Sequence, residues 1–173
     1  MNPLRELQTL HVIQGEHVVS DRPDLVLTTV LGSCVAACLH DPIRRIGGMN
    51  HFLLPDMPGA RDIRYASAAM EQLVNSLLKM GGRRDRLVAK LFGGARMMRG
   101  LPDIGHRNGE AALAFLEGEG IGVSAQSLGG KQARRVRFWP QTGRAQQLLL
   151  VDAGELQVSP AVAPVGMGSI ELF

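Results

Sequence analysis

The hydrophobic residues of this chain change their spacing at one stretch, and that change constrains the fold more than any other feature. Over residues 62–80 they repeat at three- and four-residue intervals, which is the period of an amphipathic helix. Gly81-Gly82 then supplies the residues that end a helix. The stripe consists of Met70, Leu73, Val74, Leu77 and Leu78. It predicts a helix that packs one face on a core.

The rest of the chain is dominated by short β-prone runs bounded by glycine and proline. They predict strands within 18–30, 35–39, 46–54, 87–92 and 121–126, and a hairpin of 136–138 with 148–151. The first three runs are predicted to be consecutive neighbours in the sheet. Asn108 is the predicted N-cap of a second helix over 111–116. The pattern favours an α/β or α+β layered fold, with a mixed β-sheet flanked by helices.

Composition limits the number of domains and the class of partner. A chain of 173 residues that is 45% hydrophobic suits one domain, predicted at 1–152, and the Pro- and Gly-containing stretch 153–173 is predicted to be a flexible tail. Residues 1–14 lack the apolar run of a signal peptide or a membrane span, which predicts a cytoplasmic protein without membrane insertion. A net charge of +3, with five Phe, one Trp and one Tyr, does not indicate nucleic-acid binding.

Cys34 has the setting of a nucleophile. It follows Gly32-Ser33 at a break between two β-prone runs, where a sharp turn presents a side chain to solvent. A thiol is mostly protonated at neutral pH, so it needs a base such as histidine within reach. Two neighbouring strands can bring His51 beside Cys34 although seventeen positions separate them.

Two other interpretations of these residues remain open at this point. A buried cysteine behaves as a small hydrophobic residue, and a histidine in a strand is often a hydrogen-bonded core group. Zinc is the second alternative, because Cys34, Cys38, His40 and His51 are four potential ligands. Positions along one strand rarely converge on a tetrahedral site, which argues against the metal.

Several segments, in order along 11–151, resemble the CheD family of chemoreceptor glutamine deamidases. The opening motif is TTVLGSCVAACLHDP at 28–42, and the histidine segment is GGMNHFLLP at 47–55. Further similar blocks are RYA at 64–66, AKLFGGA at 89–95, IGHRN at 104–108, LGG at 128–130 and TG at 142–143. Ser127 and Ala133 depart from the Asp and Gly that are usual in the family at those positions.

The resemblance implies a catalytic triad and a reaction. Cys34 is the implied nucleophile, His51 the base, and Thr28 the residue that orients the histidine. The implied reaction converts receptor glutamine to glutamate through a thioester, with no cofactor and no metal. Backbone N–H groups at the turn of Gly32, Ser33 and Cys34 are the natural oxyanion donors. The implied fold is similar to the glutamine-deamidating catalytic domains of bacterial toxins.

The implied partners are methyl-accepting chemotaxis receptors and, as a further expectation, a CheC-type phosphatase. A different class of function is an adaptor that binds receptors or CheC with little or no turnover. A third is a thiol hydrolase or transamidating enzyme with another substrate, because thioester chemistry does not itself choose water over an amine.

Overall fold

Ten strands and two α-helices form within residues 5–54, 60–100, 102–151 and 170–173, which are the residues that the computed structural model describes. The helices are α1 (Ala60–Lys79) and α2 (Ile104–Gly118). The strands are β1 (Gln8–His11), β2 (His17–Ser20), β3 (Leu25–Leu31), β4 (Val35–Asp41), β5 (Ile46–Asn50), β6 (Val88–Gly93), β7 (Gly122–Leu128), β8 (Arg134–Phe138), β9 (Ala145–Leu149) and β10 (Ile170–Leu172).

The strands form two five-stranded sheets. The first has the order β1-β3-β8-β9-β10 and the second the order β2-β5-β4-β6-β7. The β1–β3 and β6–β7 pairs are parallel and the other pairs are antiparallel. The prediction of an α+β fold with mixed pairing is confirmed. The strands are divided between two sheets where the sequence suggested one.

Apolar side chains hold the layers together on both faces of the second sheet. One core lies between the sheets and includes Leu27 and Leu31 of the first sheet with Met49 of the second. The opposite face packs on the helices through residues such as Leu39 and Leu73. The protein is therefore built of three layers, with the second sheet buried on both faces.

The β-prone stretch 18–30 was wrongly predicted to be one strand and to neighbour the next run in the same sheet. It forms β2 in the second sheet and β3 in the first, and the break between them contains Pro23. Proline lacks the N–H that a central strand donates to its ladder, so the chain turns there. The chain returns to the second sheet through the turn that carries Cys34.

The second helix begins earlier than predicted, and Asn108 is not its cap. The N-cap is Asp103, whose side chain accepts a hydrogen bond from the backbone N–H of His106 at 3.0 Å. Asn108 lies inside α2 and is fully buried. Its side chain is thereby free to bond to other parts of the protein.

The last residues of the chain form a strand on the edge of the first sheet. β10 pairs antiparallel with β9, and the ring of Phe173 meets Phe92 edge to face at 5.2 Å. The predicted flexible tail thus ends in residues that pack on the domain, while residues 152–169 lie outside those described. β1 was also missed, since its four residues are exposed and show no apolar alternation. Neither described helix has the length and apolarity needed to cross a membrane.

A buried carboxylate at the end of β4 organises the turn before β5. Asp41 is fully buried and accepts hydrogen bonds at 3.0 Å from the backbone N–H groups of Ile43, Arg44 and Arg83, and from Nε of Arg86. Burial alone would raise the pKa of Asp41, but these donors outweigh it and hold the pKa below its ordinary value of 3.8.

We predict that Asp41→Ala lowers the free energy of unfolding by about 3 kcal/mol, because it leaves several donors without their acceptor. Asp85→Ala is the matched control, since Asp85 pairs with Arg83 on the exposed surface, and it should change stability by less than about 1 kcal/mol. Urea unfolding at neutral pH measures both. The Asp41 contribution should be lost as the pH falls through its lowered pKa, and equal effects of the two substitutions would contradict this account.

Candidate active site

The turn that carries Cys34 joins the two sheets, and its backbone is tied down at three successive carbonyls. Gly32 O accepts from Ala95 N at 2.9 Å, and Cys34 O accepts from Gly94 N at 2.9 Å. The carbonyl between them, of Ser33, accepts from a side chain of α2 at 2.7 Å. The thiol therefore projects from a fixed backbone at the point where the chain crosses from the first sheet to the second.

The close approach of β6 to this turn requires glycine. Gly93 has φ +109°, and a Cβ there would lie 2.1 Å from the carbonyl oxygen of Cys34. Any side chain would push the turn away and would also be strained at that φ. The first glycine of the AKLFGGA block is thus explained by the position of Cys34, whereas a Cβ at Gly94 would lie 2.7 Å from the carbonyl oxygen of Gly105.

Asn108 connects the cysteine turn to the segment that follows His51. Its Nδ2 donates to Ser33 O at 2.7 Å, and its Oδ1 accepts from Leu54 N at 2.8 Å. Both bonds lie within the protein, where an unpaired polar group is costly. A single buried side chain on α2 thereby fixes the distance between two chain segments that carry the candidate residues.

His51 lies directly after β5, where the ladder between β4 and β5 continues. Phe52 exchanges both backbone hydrogen bonds with Val35, at 2.9 and 3.0 Å. In this antiparallel register His51 stands opposite Ala36, and Cys34 is its diagonal neighbour on the same face of the sheet. That face looks into the core between the sheets, against which Cys34 packs.

The proton on the His51 ring is located by its neighbours. Nδ1 lies 2.8 Å from Thr29 Oγ1 and 3.2 Å from the carbonyl oxygen of Val12. A carbonyl can only accept, and the Thr29 hydroxyl gives its one proton to the same Val12 oxygen at 2.7 Å. A proton on Nδ1 satisfies all three contacts at once, so this arrangement favours the tautomer in which Nε2 is the basic nitrogen. No described residue hydrogen-bonds Nε2.

Thr28, the predicted orienting residue, does not contact His51. Its hydroxyl donates to the carbonyl of Val136 at 2.9 Å. Successive side chains of a strand point to opposite faces, and it is Thr29 that shares the inner face with Leu27 and Leu31. The hydroxyl that contacts the histidine in this structure belongs to Thr29, and an orienting role for Thr28 stays a prediction.

Burial favours the uncharged forms of both candidate groups. It raises the pKa of the Cys34 thiol, an effect that the cysteine's own backbone N–H partly opposes. It also lowers the pKa of His51, against the opposing effect of the Val12 carbonyl. Burial therefore disfavours a charged thiolate and a charged imidazolium at these two positions.

A glutamine that no sequence pattern singled out lies against the thiol. Gln14 Oε1 is 3.8 Å from Cys34 Sγ, within hydrogen-bonding distance for sulfur. Gln14 belongs to the turn between β1 and β2 and is exposed. It is adjacent in space to Cys34 although twenty positions separate the two in the chain.

The other potential zinc ligands are engaged elsewhere. Cys38 is buried between the sheets, and burial raises the pKa of its thiol far above the ordinary value. Nε2 of His40 bonds to the carbonyl of Gln141 at 2.9 Å. Within the described parts of the chain, no three His, Cys, Asp or Glu side chains gather in a way that could hold a metal ion.

Comparisons with known proteins decide the family. A family model described as CheD chemotactic sensory transduction matches residues 53–147. A protein of Caulobacter sp. strain K31, named probable chemoreceptor glutamine deamidase CheD, is 53% identical over 95% of this chain and 92% of its own length. The chain belongs to the CheD family. Relatives of the same name from Acidiphilium cryptum and Agrobacterium fabrum are 49% and 48% identical, each over 95% of this chain and over 93% and 96% of their own lengths.

Solved structures give a weaker likeness than the CheD relatives do. The hypothetical protein YfiH of Bacillus licheniformis has a TM-score of 0.44 and 18% identity, over 65% of this chain and 50% of that one. A Neisseria meningitidis protein of the DUF152 family model has a TM-score of 0.45 and 12% identity, over 72% of this chain and 64% of that one. The CheD relatives, by contrast, align over nearly the whole chain, including the turn of Cys34 and His51.

We predict that Thr29→Val lowers kcat about tenfold or more, because the His51 ring loses a partner that holds it as a general base. Thr28→Val is the matched control on the same strand, since it removes only the bond to Val136. It should leave kcat within about twofold and lower stability by about 1 kcal/mol. Glutamine conversion and urea unfolding measure the two effects. A greater loss of kcat in Thr28→Val than in Thr29→Val would reverse the assignment.

Proposed function

We propose that this protein deamidates glutamine side chains of chemoreceptors, converting them to glutamate in chemotaxis, with Cys34 as nucleophile and His51 as base. The observation that supports the proposal is the His51 ring, whose Nδ1 contacts Thr29 and Val12 while Nε2 has no hydrogen-bond partner among the described residues, on the face of the sheet that Cys34 shares. The substrate class is supported by relatives of about 50% identity that are named probable chemoreceptor glutamine deamidase CheD.

The first half of the reaction forms a thioester. The Cys34 proton passes to Nε2 of His51 as Sγ attacks the carboxamide carbon of the substrate glutamine, and the carbonyl electron pair moves onto the oxygen. When this intermediate collapses, the imidazolium of His51 gives its proton to the departing nitrogen. The products of this half are ammonia and a thioester between Cys34 and the substrate.

The second half uses the same two residues for hydrolysis. Neutral His51 takes a proton from water as the water oxygen attacks the thioester carbon. The second tetrahedral intermediate releases the Cys34 sulfur, which regains a proton from His51, and leaves a glutamate side chain. The new negative charge alters the surface electrostatics of a receptor helix. Neither half consumes a cofactor.

The surroundings of Cys34 suit a protein substrate. Met97 packs over Gly32, and Met97 and Met98 keep 50% and 64% of their surface exposed. A cavity of about 100 Å³ beside Ser33 is lined by both methionines. Flexible, polarizable methionine side chains adapt to apolar side chains of a partner. We propose that the surface formed by Met97 and Met98 binds the receptor segment that surrounds the substrate glutamine, in the cytoplasmic part of the receptor.

The test is incubation of the protein with a chemoreceptor cytoplasmic fragment from its source organism, followed by peptide mass spectrometry and an ammonia assay. Wild type is expected to convert specific glutamines to glutamate. Cys34→Ala should abolish conversion, and His51→Ala should lower it by about 100-fold or more, because each removes a reacting group. Cys38→Ala is the matched cysteine control and should retain conversion.

The outcome separates the enzyme from an adaptor. Binding of the fragment by wild type without conversion, at a strength unchanged in Cys34→Ala, would contradict deamidation and favour the adaptor function. A CheC-type phosphatase would then be the next partner to test. Equal loss of activity in Cys34→Ala and Cys38→Ala would also count against Cys34 as the specific nucleophile.

A further inference from the structure

Gln14 is held in place by the residue that serves as the proposed base. It occupies a tight turn closed by a hydrogen bond from Glu16 N to Ile13 O at 3.0 Å, in which Gly15 has φ +90°. Gly15 N donates to His51 O at 2.8 Å, and His51 N donates to Glu16 O at 3.1 Å. The backbone at Gln14 and the backbone of His51 thus form one hydrogen-bonded unit.

The same segment is also anchored to the first sheet. Val12 is buried, and its backbone N–H donates to Thr28 O at 2.9 Å. Its carbonyl accepts from the Thr29 hydroxyl. The turn that presents Gln14 is therefore fixed on both sides, which is the condition for a preorganised catalytic group.

While Cys34 is protonated, the side-chain carbonyl oxygen of Gln14 accepts a hydrogen bond from its thiol. Sγ–H donates and Oε1 accepts, so the carbonyl end of the carboxamide faces the sulfur. Once the proton has left, the sulfur carries the negative charge. When sulfur bonds to the substrate carbon, that charge moves to the former carbonyl oxygen. Each of these atoms attracts hydrogen-bond donors while it is charged. Rotation about the last side-chain torsion, which is broad and roughly two-fold, then turns Nε2–H towards the reacting atoms.

The backbone of Cys34 supplies a second donor on the same side. Its own N–H points at Sγ and opposes the rise in the pKa of the thiol. The carbonyls of this turn are bonded to other parts of the protein, whereas the amide of Cys34 donates to no other described residue. Cys34 N–H is thus available to an incoming oxygen.

We infer that Gln14 is a catalytic residue whose side-chain Nε2–H, together with the backbone N–H of Cys34, forms the oxyanion hole of the deamidation. The inference rests on the proposed function. An oxyanion donor must lie about 3 Å from the new oxygen, and that oxygen stands one carbon away from Sγ, so a carboxamide 3.8 Å from Sγ is within reach. This adds a side-chain donor to the predicted hole of backbone N–H groups at the turn of Gly32, Ser33 and Cys34.

The step in which Gln14 acts balances without any further reactant. As the bond forms between Cys34 Sγ and the substrate carbon, the carbonyl π pair moves onto oxygen, and the thiol proton moves to His51. Gln14 donates a hydrogen bond to that oxygen and exchanges no proton. The same donor serves when water attacks the thioester, because negative charge develops on the same oxygen again.

The test compares Gln14→Ala and Gln14→Glu with wild type and with Gln8→Ala, an exposed glutamine bonded to Arg22. Both Gln14 variants lack the N–H donors, so kcat for receptor-fragment conversion should fall about 100-fold with KM within about twofold. Gln8→Ala should match wild type. The rate of Cys34 alkylation by iodoacetamide should not change in Gln14→Ala, because that displacement develops no oxyanion.

Each other outcome has a defined meaning. Unchanged kcat in Gln14→Ala would overturn the assignment. Faster conversion together with faster alkylation would overturn it in favour of a glutamine that covers the thiol and competes with substrate. Equal losses of kcat and alkylation rate would mean that Gln14 activates the thiol, and would also overturn its assignment to the oxyanion hole. Absence of conversion by wild type would instead be a failure of the proposed function, which the Cys34→Ala comparison identifies independently.

Discussion

The hydrogen bonds that join Val12, Thr29 and His51 are the constraint on which the candidate site depends. Because the Val12 carbonyl can only accept and Thr29 can donate to it, these contacts favour the histidine proton on Nδ1. These three residues come from the first sheet, the segment beside it and the end of β5 in the second sheet. The geometry of the base therefore depends on the packing of the two sheets against each other.

That arrangement explains why only one of the two cysteines is suited to catalysis. Cys38 is fully enclosed between the sheets, and burial keeps its thiol protonated. Cys34 lies at the edge of the same core, in a turn whose carbonyls are bonded to β6, to the residues after it and to α2. The fold thus leaves the thiol of Cys34 partly exposed and encloses that of Cys38.

The sequence was informative where a pattern is local and failed where a contact is distant. The stripe of Met70, Leu73 and Leu77 predicted α1 because helical periodicity is a property of neighbouring residues. Apolar residues lie on both faces of β3, so its sequence shows no alternation of apolar and polar residues. Nothing local therefore indicated whether Thr28 or Thr29 faces the core between the sheets. Asn108 bonds to residues 75 and 54 positions away, which no local pattern reveals. The sequence pattern allowed the pair of Cys34 and His51, and the family resemblance supported it.

The position of one proton, on Nδ1 of the His51 ring, is tested most directly by nitrogen NMR of that ring. At neutral pH we expect Nδ1 to be protonated and Nε2 to be unprotonated, with the ring titrating below the ordinary pKa of 6.5 because burial disfavours its charged form. A proton on Nε2, or an imidazolium paired with a Cys34 thiolate at neutral pH, would contradict the account.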